Sequence, residues 1–307
     1  MIEGKSLSVK FKVNGRDFQA LKRVNIKVGK GEVVGLAGES GSGKTTLGRA
    51  ILLLQKFRGQ VIWNGKDVTK IKGKEMKEFR RKNQIVYQDP FDAIDIRLKV
   101  FDVIAEGLRI HHEGSKQEIR DSVMESLKLV GLNPPEQFAN VYPTQLSGGQ
   151  LQRVAIARTL VMNPEFIVAD EPVSMLDMSI RAGILEIFNQ LKSKGTSTLM
   201  ITHDLSTVAY VSDRIYIMYL GKIVESGLTS QIVENPKHPY TQALISSIPV
   251  PEPGYKIEPK LKDEDSPVPK VGCPLYPRCP FRMDKCRTSE PEMVQVEPGH
   301  EVACYLY

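Results

Sequence analysis

The chain has 307 residues, a formal net charge of +6 and four cysteines. That length holds one large α/β domain with an appendage, or two modest domains, and its charged fraction of 25% is that of an ordinary soluble globular protein. No apolar run approaches the ~20 residues that span a bilayer, no basic-then-apolar leader opens the chain, and no aromatic residues interleave with the basic ones as on a nucleic-acid surface; the expectation is a cytoplasmic protein that serves any membrane process through partners.

Residues 6–13 and 24–28 alternate as strands, and 32–37 (EVVGLA) form the nearly continuous apolar strand of a buried parallel sheet. A glycine-rich loop follows, then a predicted helix from Lys44 to about Gln55, and strands at 59–63 and 84–87. From about 98 to 160 the pattern turns helical: Ile119, Val123, Leu127 and Val130 share one face, and Pro134-Pro135 breaks the segment. Strands return at 166–169, 197–201 and 215–218, so the order βαβ, helical insert, βαβ predicts a doubly wound α/β core with a β-rich N-terminal part and a helical subdomain. From Pro249 onwards proline and charge dominate, as in a linker; the expected division is a main domain over 1–248, with its helical subdomain at about 98–160, and a linker with a cysteine-bearing extension over 249–307.

Strand, Gly-x4-Gly-Lys-Thr, then helix is the phosphate-binding P-loop in its required context. Gly38, Gly41 and Gly43 let the backbone wrap so that its N–H groups, with those of Ser40, Ser42 and Thr46, face phosphate oxygens. Lys44 is expected to reach the β- and γ-phosphates and Thr45 to ligate Mg²⁺. Asp170 ends an apolar strand, at the sheet edge where α/β proteins bind ligands, and is suited to hold Mg²⁺ through water. Glu171 follows it and is suited to act as general base toward the attacking water.

Downstream of the P-loop, Leu146-Ser147-Gly148-Gly149-Gln150 precedes Phe166–Glu171, and His203 follows the next strand. With this set the chain resembles the ATP-binding subunit of an ABC transporter. The resemblance implies that Ser147, Gly148, Gly149 and Gln150 contact the γ-phosphate of ATP bound to an opposite subunit. It makes Gln88 (in Tyr87-Gln88-Asp89-Pro90) the Q-loop residue near Mg²⁺ and water, Asp177 the D-loop residue at the dimer seam, and His203 the γ-phosphate switch. Met175 stands where the family usually has Ala, and Asp95-Ile96 where it often has Asn-Pro. The slot for the aromatic residue that stacks on adenine holds Asn14, leaving Phe11 or Phe18 as substitutes.

The stretch Glu234–Leu244 and the pattern Cys273-Pro274…Arg278-Cys279-Pro280…Cys286…Gly299-His300…Ala303-Cys304 resemble the C-terminal extension of oligopeptide and dipeptide importer ATPases, more the F-type than the D-type subunit. The resemblance implies a second ATPase subunit (a D-type paralogue or a second copy), two integral membrane permease subunits, an extracytoplasmic solute-binding protein, no nucleic acid, and a peripheral place on the cytoplasmic face of the membrane. Relatives carrying sugars or nickel, a soluble ATPase acting on DNA or the ribosome, and a redox or metal-sensing regulator are the alternatives. The cysteines are spaced C-x5-C-x6-C-x17-C, neither the common zinc-finger spacing nor the ferredoxin run, and four thiolates suit [4Fe–4S] or tetrahedral Zn²⁺. The family implies the iron–sulfur form. His300 is read as a surface residue, with ligation the alternative.

Overall fold

The computed structural model describes residues 1–13, 15–174, 176–247, 261–262, 269 and 271–307. The slots at Asn14 and Met175 and the expected boundary and linker around Pro249 therefore lie outside the described residues. In chain order the elements begin with β1 (Ile2–Val13), β2 (Arg16–Val28), β3 (Val33–Ala37), α1 (Lys44–Ile51), β4 (Arg58–Trp63), β5 (Lys66–Asp67), α2 (Gly73–Lys82) and β6 (Asn83–Val86). Next come α3 (Val100–His111), α4 (Lys116–Leu129), α5 (Pro135–Asn140), α6 (Gly148–Leu160), β7 (Phe166–Asp170), α7 (Met178–Ser193) and β8 (Ser197–Thr202). The rest are α8 (Leu205–Val211), β9 (Arg214–Tyr219), β10 (Lys222–Leu228), α9 (Thr229–Glu234), α10 (Pro239–Ser246), α11 (Asp284–Thr288), β11 (Val294–Glu297) and β12 (His300–Val302). None of the described helices is long and apolar enough to cross a membrane.

The chain divides into two compact units. The first comprises Met1–Ile2, Val28–Val33 and Ile62–Met200. In it β6 and β7 run parallel, from Asn83 opposite Phe166 to Val86 opposite Ala169, and β8 lies beside β7. Both β7 and β8 are buried along their whole length, as strands covered on two faces must be. The helical segment resolves into α3 to α6, with α6 packed on α3 and α4. Of the predicted apolar face of α4, Val123, Leu127 and Val130 are buried and Ile119 is half-buried. The Ser115 hydroxyl caps α4 by accepting the Glu118 N–H while Glu118 accepts that of Ser115.

The second unit comprises Glu3–Lys27, Val34–Val61 and Ile201–Tyr307. Its strands follow the order β11-β12-β10-β9-β3, with β3 parallel to β9 and the other pairs antiparallel; β2, β1 and β4 lie side by side in a second sheet.

Three departures from the sequence expectation have local causes. The two N-terminal strands are longer than 6–13 and 24–28 because they pair side by side; Asp17 and Phe18 on the added stretch are exposed, so no alternating pattern marks it, and burial resumes at Ala20 and Leu21. α1 stops at Ile51 instead of running to Gln55. Leu53, in the left-handed region at φ +57°, reverses the chain, with N–H bonds from Leu53 to Ala50 and from Leu54 to Arg49. That is a Schellman termination without the glycine that usually announces it. α2 is almost wholly polar, and it is anchored by Phe79, which packs edge-on against Trp63 at 5.5 Å.

Candidate functional site

The second unit carries the P-loop between β3 and α1. Glycine is required at two of its positions. Gly38 has φ +154° and a Cβ there would stand 2.1 Å from the Met218 carbonyl oxygen; Gly43 has φ +106° and a Cβ would stand 2.6 Å from that of Ala20. Lys44 is buried, and its ammonium donates to the carbonyls of Gly38 at 2.7 Å and Glu39 at 2.9 Å. Ser40 and Gly41 are exposed, while Thr45 and Thr46 are half-buried. The N-terminus of α1 has no side-chain cap, and Ser42 Oγ is buried without a hydrogen-bond partner. An uncapped helix N-terminus, an orphaned hydroxyl and a curled lysine fit a phosphate chain.

His203 lies in the same unit, exposed, just after β8. The next residue, Asp204, caps α8: its carboxylate accepts from the Ser206 N–H at 2.9 Å, and from the Ser206 and Thr207 hydroxyls. Burial opposes the Asp204 carboxylate, but those donors outweigh it and hold the group below its ordinary range. Phe11 is half-buried on β1 and Phe18 is 54% exposed on β2, so Phe18 is the more open ring for stacking.

The first unit carries the other predicted residues. Asp170 is buried at the end of β7. Glu171 follows at φ +47°, a left-handed conformation rare for a residue with a side chain. Its carbonyl accepts the Ser174 N–H and hydroxyl, and its carboxylate accepts the Gln88 amide at 3.1 Å. Sequence reasoning predicted roles for Gln88 and Glu171 separately but missed their bond. It gave no role to Gln152, which follows the signature and is almost fully buried; its amide donates to the carbonyls of Tyr87 and Pro172 at 3.3 Å each and so ties together the residues flanking Gln88 and Glu171. Ser147 and Gly148 are exposed, Gly149 and Gln150 half-buried; Ser147 accepts the Gln150 N–H and Gln150 accepts that of Ser147, a capping box at the start of α6. Asp177 is exposed and caps α7 through the Ile180 N–H.

The four cysteines are free thiols, and all four line one small pocket in the second unit. Apolar side chains including Leu275, Phe281, Met283 and Leu306 complete its wall. Burial pushes the Cys273 thiol up to about 11 and raises those of Cys279 and Cys304, so charged thiolates there need a bound cation to stabilise them. Among the described residues no three His, Cys, Asp or Glu side chains converge to hold a single metal ion. The expected four-cysteine metal site is therefore not formed by converged ligands among the described residues. His300 is not on the surface as expected. It is fully buried, 2.7 Å from Glu225, whose carboxylate also accepts the N–H groups of Lys237 and His238 at 2.7 and 2.9 Å. The pairing of β12 with β10 draws it inside, a long-range effect with no local signal.

Residues 21–174 match the family described as ABC transporter, and residues 224–286 match the one described as oligopeptide/dipeptide transporter, C-terminal region. The putative oligopeptide transport ATP-binding protein YkfD of Bacillus subtilis is 44% identical over 302 residues, which cover 95% of this chain and 91% of that protein. The oligopeptide transport ATP-binding protein OppF of Streptococcus mutans is 42% identical over 306 residues, covering 98% and 94%. Two solved structures, the dimeric bacterial ABC transporter cassette MJ0796 and its post-hydrolysis state bound to ADP and Pi, each match with a TM-score of 0.70 at 32% identity, covering 75% of this chain and 99% of theirs. With half its length matched by the family and relatives at 42–44% identity along nearly all of it, the chain belongs to the ABC transporter family and has the α/β fold of that family's ATPase cassettes.

Proposed function

We propose that this ABC ATPase powers the import of oligopeptides or dipeptides through partner membrane subunits. The observation that carries the peptide reading is the match of residues 224–286 to the oligopeptide/dipeptide transporter C-terminal region, supported by relatives named for oligopeptide transport. In this reading residues 1–248 are the ATPase domain, about 98–160 its helical subdomain, and 249–307 the linker and extension. The chain is an F-type subunit at the cytoplasmic face of the membrane. It pairs with a D-type paralogue or a second copy, docks on two permease subunits, and serves an extracytoplasmic solute-binding protein.

Residues Gly38 to Thr46 wrap the phosphates, with Lys44 leaving its two loop carbonyls for the β- and γ-phosphate oxygens. Thr45, Gln88 and, through water, Asp170 would hold Mg²⁺, which screens the charge that develops on the γ-phosphate. Glu171 accepts a proton from the attacking water as its oxygen bonds to the γ-phosphorus and the bond to the β-phosphate oxygen breaks. Gln88 orients that carboxylate through their hydrogen bond. His203 contacts the γ-phosphate, and the Ser147–Gln150 turn of an opposite subunit, with Asp177 at the seam, closes the site. Phe18 is the better candidate for adenine stacking, Phe11 the other.

Cys273, Cys279, Cys286 and Cys304 would hold an iron–sulfur cluster. What supports this reading is that the four thiols line one pocket; the preference for [4Fe–4S] over zinc comes from the resemblance to the importer extension. Anaerobic purification is expected to give a brown protein with about four irons per chain; zinc without iron would replace the cluster but keep the ligands, and freely alkylated thiols in the folded protein would remove the site.

The function is tested by pairing two substitutions. Lys44→Ala should abolish ATP binding, because it removes the charge that meets the phosphates. Glu171→Gln should retain binding but slow hydrolysis by roughly 10²-fold or more, and ATP should then trap a closed dimer, visible by size-exclusion chromatography in the presence of the partner subunit. Normal turnover in the second variant would take Glu171 out of the base role. Peptide-dependent ATPase activity of the reconstituted importer checks the substrate class.

A further inference from the structure

The cysteine-bearing extension and the P-loop meet at Glu39, within the second unit. Arg278 Nη1 lies 3.2 Å from each carboxylate oxygen of Glu39, the first of the four variable residues of Gly-x4-Gly-Lys. The backbone of Glu39 is held from the same side: its N–H donates to the Tyr240 hydroxyl at 2.8 Å. Tyr240 is fully buried and stacks at 4.6 Å, tilted by 51°, on Tyr219, whose hydroxyl is itself bonded to Arg278. Glu39 is thus fixed at both its side chain and its amide, and its carbonyl in turn accepts the Lys44 ammonium and the Ser42 N–H.

Arg278 is not a loose surface arginine. Its own N–H and that of Cys279 both donate to the Leu275 carbonyl, at 3.0 and 2.9 Å, in a tight turn. That turn, with Cys273 N–H bonded to the Cys286 carbonyl, builds the wall of the four-thiol cavity. An isolated exposed ion pair would do little. This one is two-thirds shielded on the arginine side, has the tyrosine as a third partner, and ends on a loop whose conformation must match a phosphate chain.

We propose that Arg278 is a positioning residue for the ATPase: it holds the P-loop in its phosphate-ready conformation through Glu39, so that the order of the four-cysteine extension sets the affinity for ATP. Without the bond the loop amides sample more conformations, and ATP must order them as it binds. The chemistry at the γ-phosphate is untouched, because Arg278 reaches no reacting atom. The inference rests on the P-loop being the ATP site.

The test uses the full chain with its extension intact. In Arg278→Ala, the Kd and KM for ATP should rise roughly three- to tenfold, with kcat within about twofold of the parent. Arg278→Lys should restore part of the affinity, since a point charge replaces a fork. Glu39→Ala should weaken ATP binding similarly, and Glu39→Ala with Arg278→Ala should be no weaker than the worse single variant. Hydrogen exchange at residues 39–43 of the ATP-free chain should be faster in Arg278→Ala. If that variant does not fold, Glu39→Ala, which leaves the extension whole, carries the test alone. Unchanged ATP affinity in Arg278→Ala, or strictly additive losses in the double variant, overturns the proposal. Lys44→Ala separates the two readings: if it abolishes binding while Arg278→Ala changes nothing, only the positioning role fails; if it binds ATP normally, the site itself is misplaced.

Discussion

Asp204 follows His203 directly, and its three donors come from the first turn of α8, so the residue that starts the helix also fixes the loop that carries the histidine. Asp204→Ala should cost about 1 kcal/mol of stability in denaturant unfolding at pH 7. The carboxylate's folded value lies below its ordinary 3.8, so its charged contribution is complete above that value and is lost as pH falls through the folded one. The gap between parent and variant should therefore narrow below about pH 4; a gap that widens on acidification would contradict the assigned donors. Single residues of the site differ in how far the sequence discloses them. Gly38 and Gly43 are legible because only glycine tolerates those backbone angles beside the carbonyls of Met218 and Ala20. Gln152 and Arg278 are not, because their partners sit far away in sequence and an amide or guanidinium carries no local pattern.

At the scale of an element, α6 begins with a box that serves itself. The Ser147 hydroxyl accepts the Gln150 N–H at 3.3 Å, which occupies one of the donors that a phosphate from an opposite subunit would need. Ser147→Ala should destabilise the nucleotide-free chain by about 1 kcal/mol and should also weaken the ATP-trapped dimer of Glu171→Gln. If stability falls and the dimer does not, the serine is a cap and nothing more. Elements with strong apolar runs, such as β3, β7 and β8, could be read directly from sequence. α2 could not, since one buried aromatic on a polar helix leaves no periodic stripe, and the early end of α1 was hidden because a leucine takes the position glycine normally fills.

At the scale of the whole molecule, the second compact unit joins the P-loop segment Val34–Val61 with Ile201–Tyr307. The joining contacts, Glu39 with Arg278 and Glu225 with His300, span 239 and 75 residues, distances over which periodicity says nothing. Cys286→Ser should accordingly loosen the extension, seen as faster proteolysis after residue 267, and lower ATP affinity no further than Arg278→Ala does; full loss of binding would point to global unfolding instead. The pairing of β12 with β10 has a separate consequence. β12 covers the open side of β10, and the strand left at the rim, β11, is short and carries Gln295 and Glu297. A chain cut after residue 247 would expose the backbone donors and acceptors of β10 and strip the Glu225 carboxylate of its histidine, so it should self-associate through its bare sheet edge and scatter light at concentrations where the intact chain stays clear.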